Sequence, residues 1–261
     1  MTYQKLIRLI VILAPLTLGT LAGAQEAIPK FADDVLTHVV LHEMGHALIR
    51  EFDLPVLGNE ETVADAFATH FVIKHLPHRA VDVISARVNS LLIEAAEVPK
   101  NEWTVRGEHN SDARRAYQIT ALAVAGDRDK FASLAKRIGM DDDDMDAAAD
   151  YGNEIHRSWR RILKPLRMPE GQASNEVAIR FDPGLGDTAD QIRKLKCYSD
   201  INLSLKSFDW HSTVRVFFAQ GDGGAGWSRS RRTITVYDQY LLRFVRQSQQ
   251  ISLVKKALPL P

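Results

Sequence analysis

The chain has a single cysteine, Cys197, among 261 residues. That excludes an intramolecular disulfide framework and every cysteine-rich zinc module. Net charge is missing too, with 33 Lys and Arg against 33 Asp and Glu. A balanced chain gives no electrostatic reason to expect a nucleic-acid partner or a polybasic membrane contact. No long apolar run follows residue 24, so nothing there is built to span a bilayer. What is present is ordinary: 45% hydrophobic and 25% charged residues, the composition of a globular protein rather than a disordered or collagenous one.

The first 24 residues read as an address. Lys5 and Arg8 precede an apolar run from Leu9 to Leu21, and Ala22-Gly23-Ala24 supplies a small-x-small cleavage pattern. The alternative is a membrane anchor, but the run is shorter than the ~20 residues a span needs and Pro15 interrupts it. A secreted or periplasmic protein follows as the expectation, with no stable membrane span after signal cleavage.

The texture changes near residue 170. Before it, apolar residues recur at helical spacing, predicting helices over 33–52, 60–75, 79–96, 111–125, 128–138 and 143–163, with turns at Pro55–Gly58, Pro77 and Pro99. After it come short β-prone runs at 177–181, 201–205, 214–218 and 233–237, with a return to helix over 238–246. The expectation is α+β: a helical region over 25–170 and a mostly antiparallel, β-rich segment over 171–261 that completes the same domain or stands as an unrelated one.

One run carries chemistry: His42-Glu43-Met44-Gly45-His46. On a helix, positions i and i+4 share a face, so both imidazoles reach one metal ion, and Glu43 reaches a water beside it. The bland alternative is a surface helix with incidental histidines. The uncharged flanks Val39-Val40-Leu41 and Ala47-Leu48-Ile49 oppose it, since they suit a helix running through the core. A catalytic zinc takes three protein ligands and leaves a position open. Glu61 and Asp65, four apart on the next helix, offer the third ligand and an acceptor that orients an imidazole. Glu60, beside them, reads as an acid favoured by the helix dipole.

His-Glu-x-x-His followed by Glu-x-x-x-Asp resembles the gluzincin clan of zinc peptidases. By that resemblance Glu61 ligates zinc and Asp65 supports His42. The run Leu41–His46, Leu54–Gly58, Glu60-Glu61 and Ala64-Asp65 also resembles a bacterial secreted family known as “putative metallopeptidase”, a domain of unknown function, over roughly residues 35–165. The resemblance implies an exported zinc metallopeptidase acting on peptide or protein substrates. It further implies a later element matching Glu108-His109 and Arg115, so that His109 or Arg115 stabilises the oxyanion. A cysteine pair of that family has no counterpart here, Ala121 standing near one of its places. The sheet that normally precedes the motif helix is also missing upstream. The strands at 214–218 and 233–237 resemble it, which suggests a circularly permuted chain.

Two other classes stay open: a zinc-holding module that cuts nothing, and a zinc hydrolase acting on a non-peptide or cell-wall amide. Lesser features read blandly. His70, His75 and His78 suit a helix C-terminus, Asp141–Asp144 a helix start, and Gly221–Gly226 a turn between strands. The basic patch at 228–232 is too small to argue for nucleic acid.

Overall fold

The computed structural model describes residues 27–56, 58–97 and 111–257, with side chains up to residue 251. The signal-peptide reading over 1–24 and the element at Glu108-His109 lie outside the described residues. Six helices come first: α1 Lys30–Glu51, α2 Glu60–His75, α3 Ala80–Glu97, α4 Asp112–Gly126, α5 Arg128–Arg137 and α6 Asp142–Leu163. Then come β1 Val177–Phe181, α7 Asp187–Arg193, α8 Lys196–Lys206, β2 Val214–Ala219, β3 Ala225–Ser228, β4 Thr233–Tyr237 and α9 Asp238–Ala257. The class is α+β, as the sequence texture implied.

Three details differ from that reading. The sheet has the order β1-β2-β4-β3, and β1–β2 and β2–β4 are parallel; only β3–β4 is antiparallel. Parallel neighbours need crossovers, and α7 with α8 supplies the one between β1 and β2. The segment after residue 171 therefore holds more helix than strand, not the β-rich, mostly antiparallel arrangement expected. The run 201–205, expected as a strand, lies inside α8. Its apolar residues sit at 201, 203 and 205, a spacing that also puts 201 and 205 on one helix face. Ile201 and Leu205 are 2% and 0% exposed while Leu203 is 67% exposed, so the helical pairing won. Finally, β3 falls partly within the glycine-rich stretch read as a turn.

α1 is the central element, buried without a break from Ala32 to Gly45. A helix covered all round belongs in the middle of a fold, and α1 packs on α2, α3, α8 and α9 and against β3 and β4. One hydrophobic core runs from Ala32 through to Phe244, so the C-terminal segment is joined to the helical region. Buried charge ties the join. Asp33 on α1 accepts the backbone N–H groups of Cys197 (2.8 Å) and Lys196 (3.2 Å), capping α8 from the side. Arg79 bridges Asp34 (2.6 Å) and Asp200, so its buried guanidinium is compensated from both segments.

Candidate metal centre

α1 and α2 are antiparallel neighbours, linked by a turn in which Asp53 takes the left-handed conformation (φ 47°). Asn59 starts α2, its side chain accepting the Thr62 N–H at 3.0 Å. Gly45 lets the two helices touch: a Cβ there would stand 3.1 Å from Ala64 Cα and 3.1 Å from Phe67 Cδ1. That close approach sets the first turn of α2 against the His42–His46 face of α1.

The result is a compact donor set. His42 Nε2 and His46 Nε2 lie 3.2 Å apart, and each faces Glu61, at 3.2 Å to Oε2 and 3.3 Å to Oε1 respectively. The three residues each offer a ligand atom, all within 4.8 Å of one another. Around a tetrahedral ion with bonds of about 2.0–2.1 Å, ligand atoms stand about 3.3 Å apart. The spacing therefore fits a bound divalent ion, and three protein ligands leave one position open.

The outer nitrogens are held just as firmly. His42 Nδ1–H donates to Asp65 Oδ1 at 2.8 Å, and His46 Nδ1–H donates to Glu60 Oε1 at 2.9 Å. These bonds fix the tautomer that turns both Nε2 atoms inward. Asp65 in turn accepts a two-pronged bond from Arg115, Nε at 2.8 Å and Nη2 at 2.9 Å. Glu60 likewise accepts from Arg50 Nη2 at 2.5 Å. Asp65 thus links the outer nitrogen of His42 to the Arg115 guanidinium. Glu60 does more than the helix dipole asks. Its part, and that of Arg50 four residues beyond His46, carries no spacing signal that separates it from helix-end charge.

Glu43 is 8% exposed and lines a cleft of about 650 Å³ together with His42, His46 and Glu61. No hydrogen bond or ion pair ties its carboxylate among the described residues. The opposite wall of the cleft is β3, through Ala225, Gly226 and Trp227. Arg115 reaches the cleft as well, its fork committed to Asp65, and His109 lies outside the described residues. The more distant histidines play another part. His70 is buried against His156 (Nδ1–Nδ1 2.8 Å), and His75 contacts the Arg167 guanidinium. Burial pushes His70 down to about 3, and burial with Arg167 pushes His75 down to about 4. Both are neutral at pH 7, so the reading of these two as dipole cations fails.

Electrostatics separate the metal-free and metal-bound states. Burial works to lower the His42 pKa, but the charge and hydrogen bond of Asp65, with Glu61 and Glu43, outweigh it and push it up to about 9. Asp65, despite burial, is held well below the usual range by His42 and Arg115. A histidine raised from its unfolded value gives stability that is fully present below about pH 6.5 and lost as pH rises through its folded value. For His42 that loss is on the order of 3 kcal/mol between about pH 6.5 and 9. A coordinated imidazole has already given up this proton, so the alkaline loss should vanish with metal bound. We expect the Tm of the metal-free protein to fall from about pH 6.5 to 9 and that of the zinc-loaded protein to stay flat, checked by thermal unfolding in both states. On the acid side both forms should weaken from about pH 6.5 towards 3, because burial pushes His38 and His70 down to about 3 and they must stay neutral in the fold; the zinc-loaded form should weaken more steeply, since protons also displace the metal from its ligands.

The profile of a family described as “Putative metallopeptidase” matches residues 20–163, more than half of the chain. No curated protein and no solved structure matches it.

Proposed function

We propose, for a chain that belongs to the family described as “Putative metallopeptidase”, that it is an exported zinc-dependent peptidase whose ligands are His42, His46 and Glu61. The observation that carries this reading is the mutual spacing of the three donors, each imidazole fixed by its own carboxylate. Two imidazoles and one carboxylate with an open position form a catalytic zinc set rather than a structural one. Bound zinc would supply Lewis acidity to a carbonyl and lower the pKa of water.

The chain's own residues do the rest. Glu43, buried beside the ligands and with no hydrogen bond or ion pair among the described residues, takes the proton of the attacking water and returns it to the leaving amine. Asp65 and Glu60 keep the imidazoles oriented, and Arg115 keeps Asp65 charged and in place. His109 or Arg115 is the group proposed to steady charge on the carbonyl oxygen.

β3 supplies the substrate rail. It is an edge strand in the order β1-β2-β4-β3. Tyr237 N–H donates to Gly224 O, and antiparallel pairs alternate, so the N–H and C=O of Ala225 and Trp227 point to the outer edge, beside the cleft. An extended peptide adds there by main-chain bonds. The position of β3 beside α1 also supports the circular-permutation reading, with C-terminal strands standing in for an upstream sheet. Export rests on the pattern of residues 1–24; among the described residues no helix is long and apolar enough to cross a membrane.

The test is hydrolysis of an unstructured protein such as casein by the zinc-loaded chain, followed by mass spectrometry. Chelator-sensitive cleavage is expected. Full zinc loading with no cleavage of proteins or peptides would overturn the peptidase reading.

A further inference from the structure

Four arginines line the cleft, and three have carboxylate partners: Arg50 with Glu60, Arg115 with Asp65, and Arg229 with Asp53 at 3.5 Å. Arg87 differs. It is 3% exposed, sits on α3 against the central helix, and among the described residues its Nε and Nη1 have no hydrogen-bond partner. Asp112 acts on it through space without a hydrogen bond, and a buried guanidinium with unbonded N–H groups is costly unless an anion arrives to take them. The β3 wall of the cleft adds a second donor without a partner among the described residues, the indole N–H of Trp227.

The direction of β3 says which end of a substrate meets Arg87. At its far end Ser228 leads into Arg229 and Arg232, which pair with Asp53 and Glu51 at the C-terminal end of α1. At its near end Ala225 lies opposite Val236, and β4 passes directly into α9, whose Tyr240 shares the cleft with Arg87. β3 therefore runs from the Arg87 end of the cleft towards the Arg50 end. A strand added antiparallel, the commoner pairing, runs the other way and brings its C-terminal side to Arg87.

Resting on the peptidase reading above, we propose that Arg87 is a specificity residue that binds a carboxylate on the C-terminal side of the substrate, making this a trimming enzyme for acidic or free chain ends. The carboxylate is either the chain terminus or an Asp or Glu side chain, and both have the fork-matching chemistry a guanidinium takes.

The test is calorimetric binding to the zinc-loaded Glu43→Gln protein, which holds peptides without cutting them. The probes are tetra-alanine, its C-terminal amide, and the amide of Ala-Ala-Ala-Glu. We expect the free acid, or the glutamate amide, or both, to bind about tenfold or more tighter than the plain amide. Which one tightens identifies the source of the carboxylate. Arg87→Gln should bring the ratios close to one with zinc content unchanged, and Arg87→Lys should keep part of the preference. Equal binding of all three peptides to the protein with Arg87 intact would overturn the proposal and leave the peptidase reading standing. A preference that survives Arg87→Gln would overturn it as well. Failure of all three to bind would overturn the peptidase reading, and this assignment with it.

Discussion

Replacing Glu43 with glutamine is expected to lower the hydrolytic rate by about 10²–10⁴-fold while leaving zinc content unchanged. The two halves of that expectation come from geometry. Glu43 stands outside the donor set of His42, His46 and Glu61, so the change removes no ligand. It lines the cleft with no hydrogen bond or ion pair among the described residues, so the change breaks no network there. Glutamine keeps the shape and loses only the capacity to accept a proton. Initial rates and metal content measured on the same preparation check the point. A variant with unaltered rate would remove Glu43 from the chemistry, and one that lost zinc would show it to be structural.

The second large effect is expected from Glu61→Ala. Both imidazole Nε2 atoms face this carboxylate, so its loss removes a ligand and also the charge that balances them. Glu61, although burial opposes it, is held well below the ordinary carboxylate range by hydrogen bonds and charge from His42 and His46, a sign of how strongly it belongs to the pair. Zinc affinity should fall by more than the about 100-fold that loss of an outer-sphere partner costs. The zinc-dependent rise in Tm should disappear with it, since that rise is binding free energy. Glu60→Ala, which frees one imidazole but removes no ligand, should fall between the two. Titration of zinc against a competing chelator, run beside thermal unfolding, orders the three proteins.

Some of this was legible before any coordinates. The helix over 60–75 was bounded by the Gly58 turn and Pro77, and strands 177–181 and 233–237 are β-branched runs between turn residues; strong local chemistry agreed with the fold. His42, His46, Glu61 and Asp65 were readable because i, i+4 spacing is a property of the helix itself. β3 was not, because Ala-Gly-Trp-Ser has little strand propensity and takes its form from pairing with β4. The helix over 201–205 was hidden by a spacing that suits either structure. Arg87 and Trp227 were invisible for a different reason: their meaning lies in hydrogen bonds left unmade among the described residues, and only packing of α3 and β3 around α1 shows that.

The central claim is that His42, His46 and Glu61 form one metal site, and the most direct measurement is the zinc-to-protein ratio of the purified mature chain, by native mass spectrometry with elemental analysis. The account predicts one zinc per chain, lost in Glu61→Ala and kept in Glu43→Gln. A metal-free protein after careful zinc loading, or full occupancy that persists in Glu61→Ala, would contradict it.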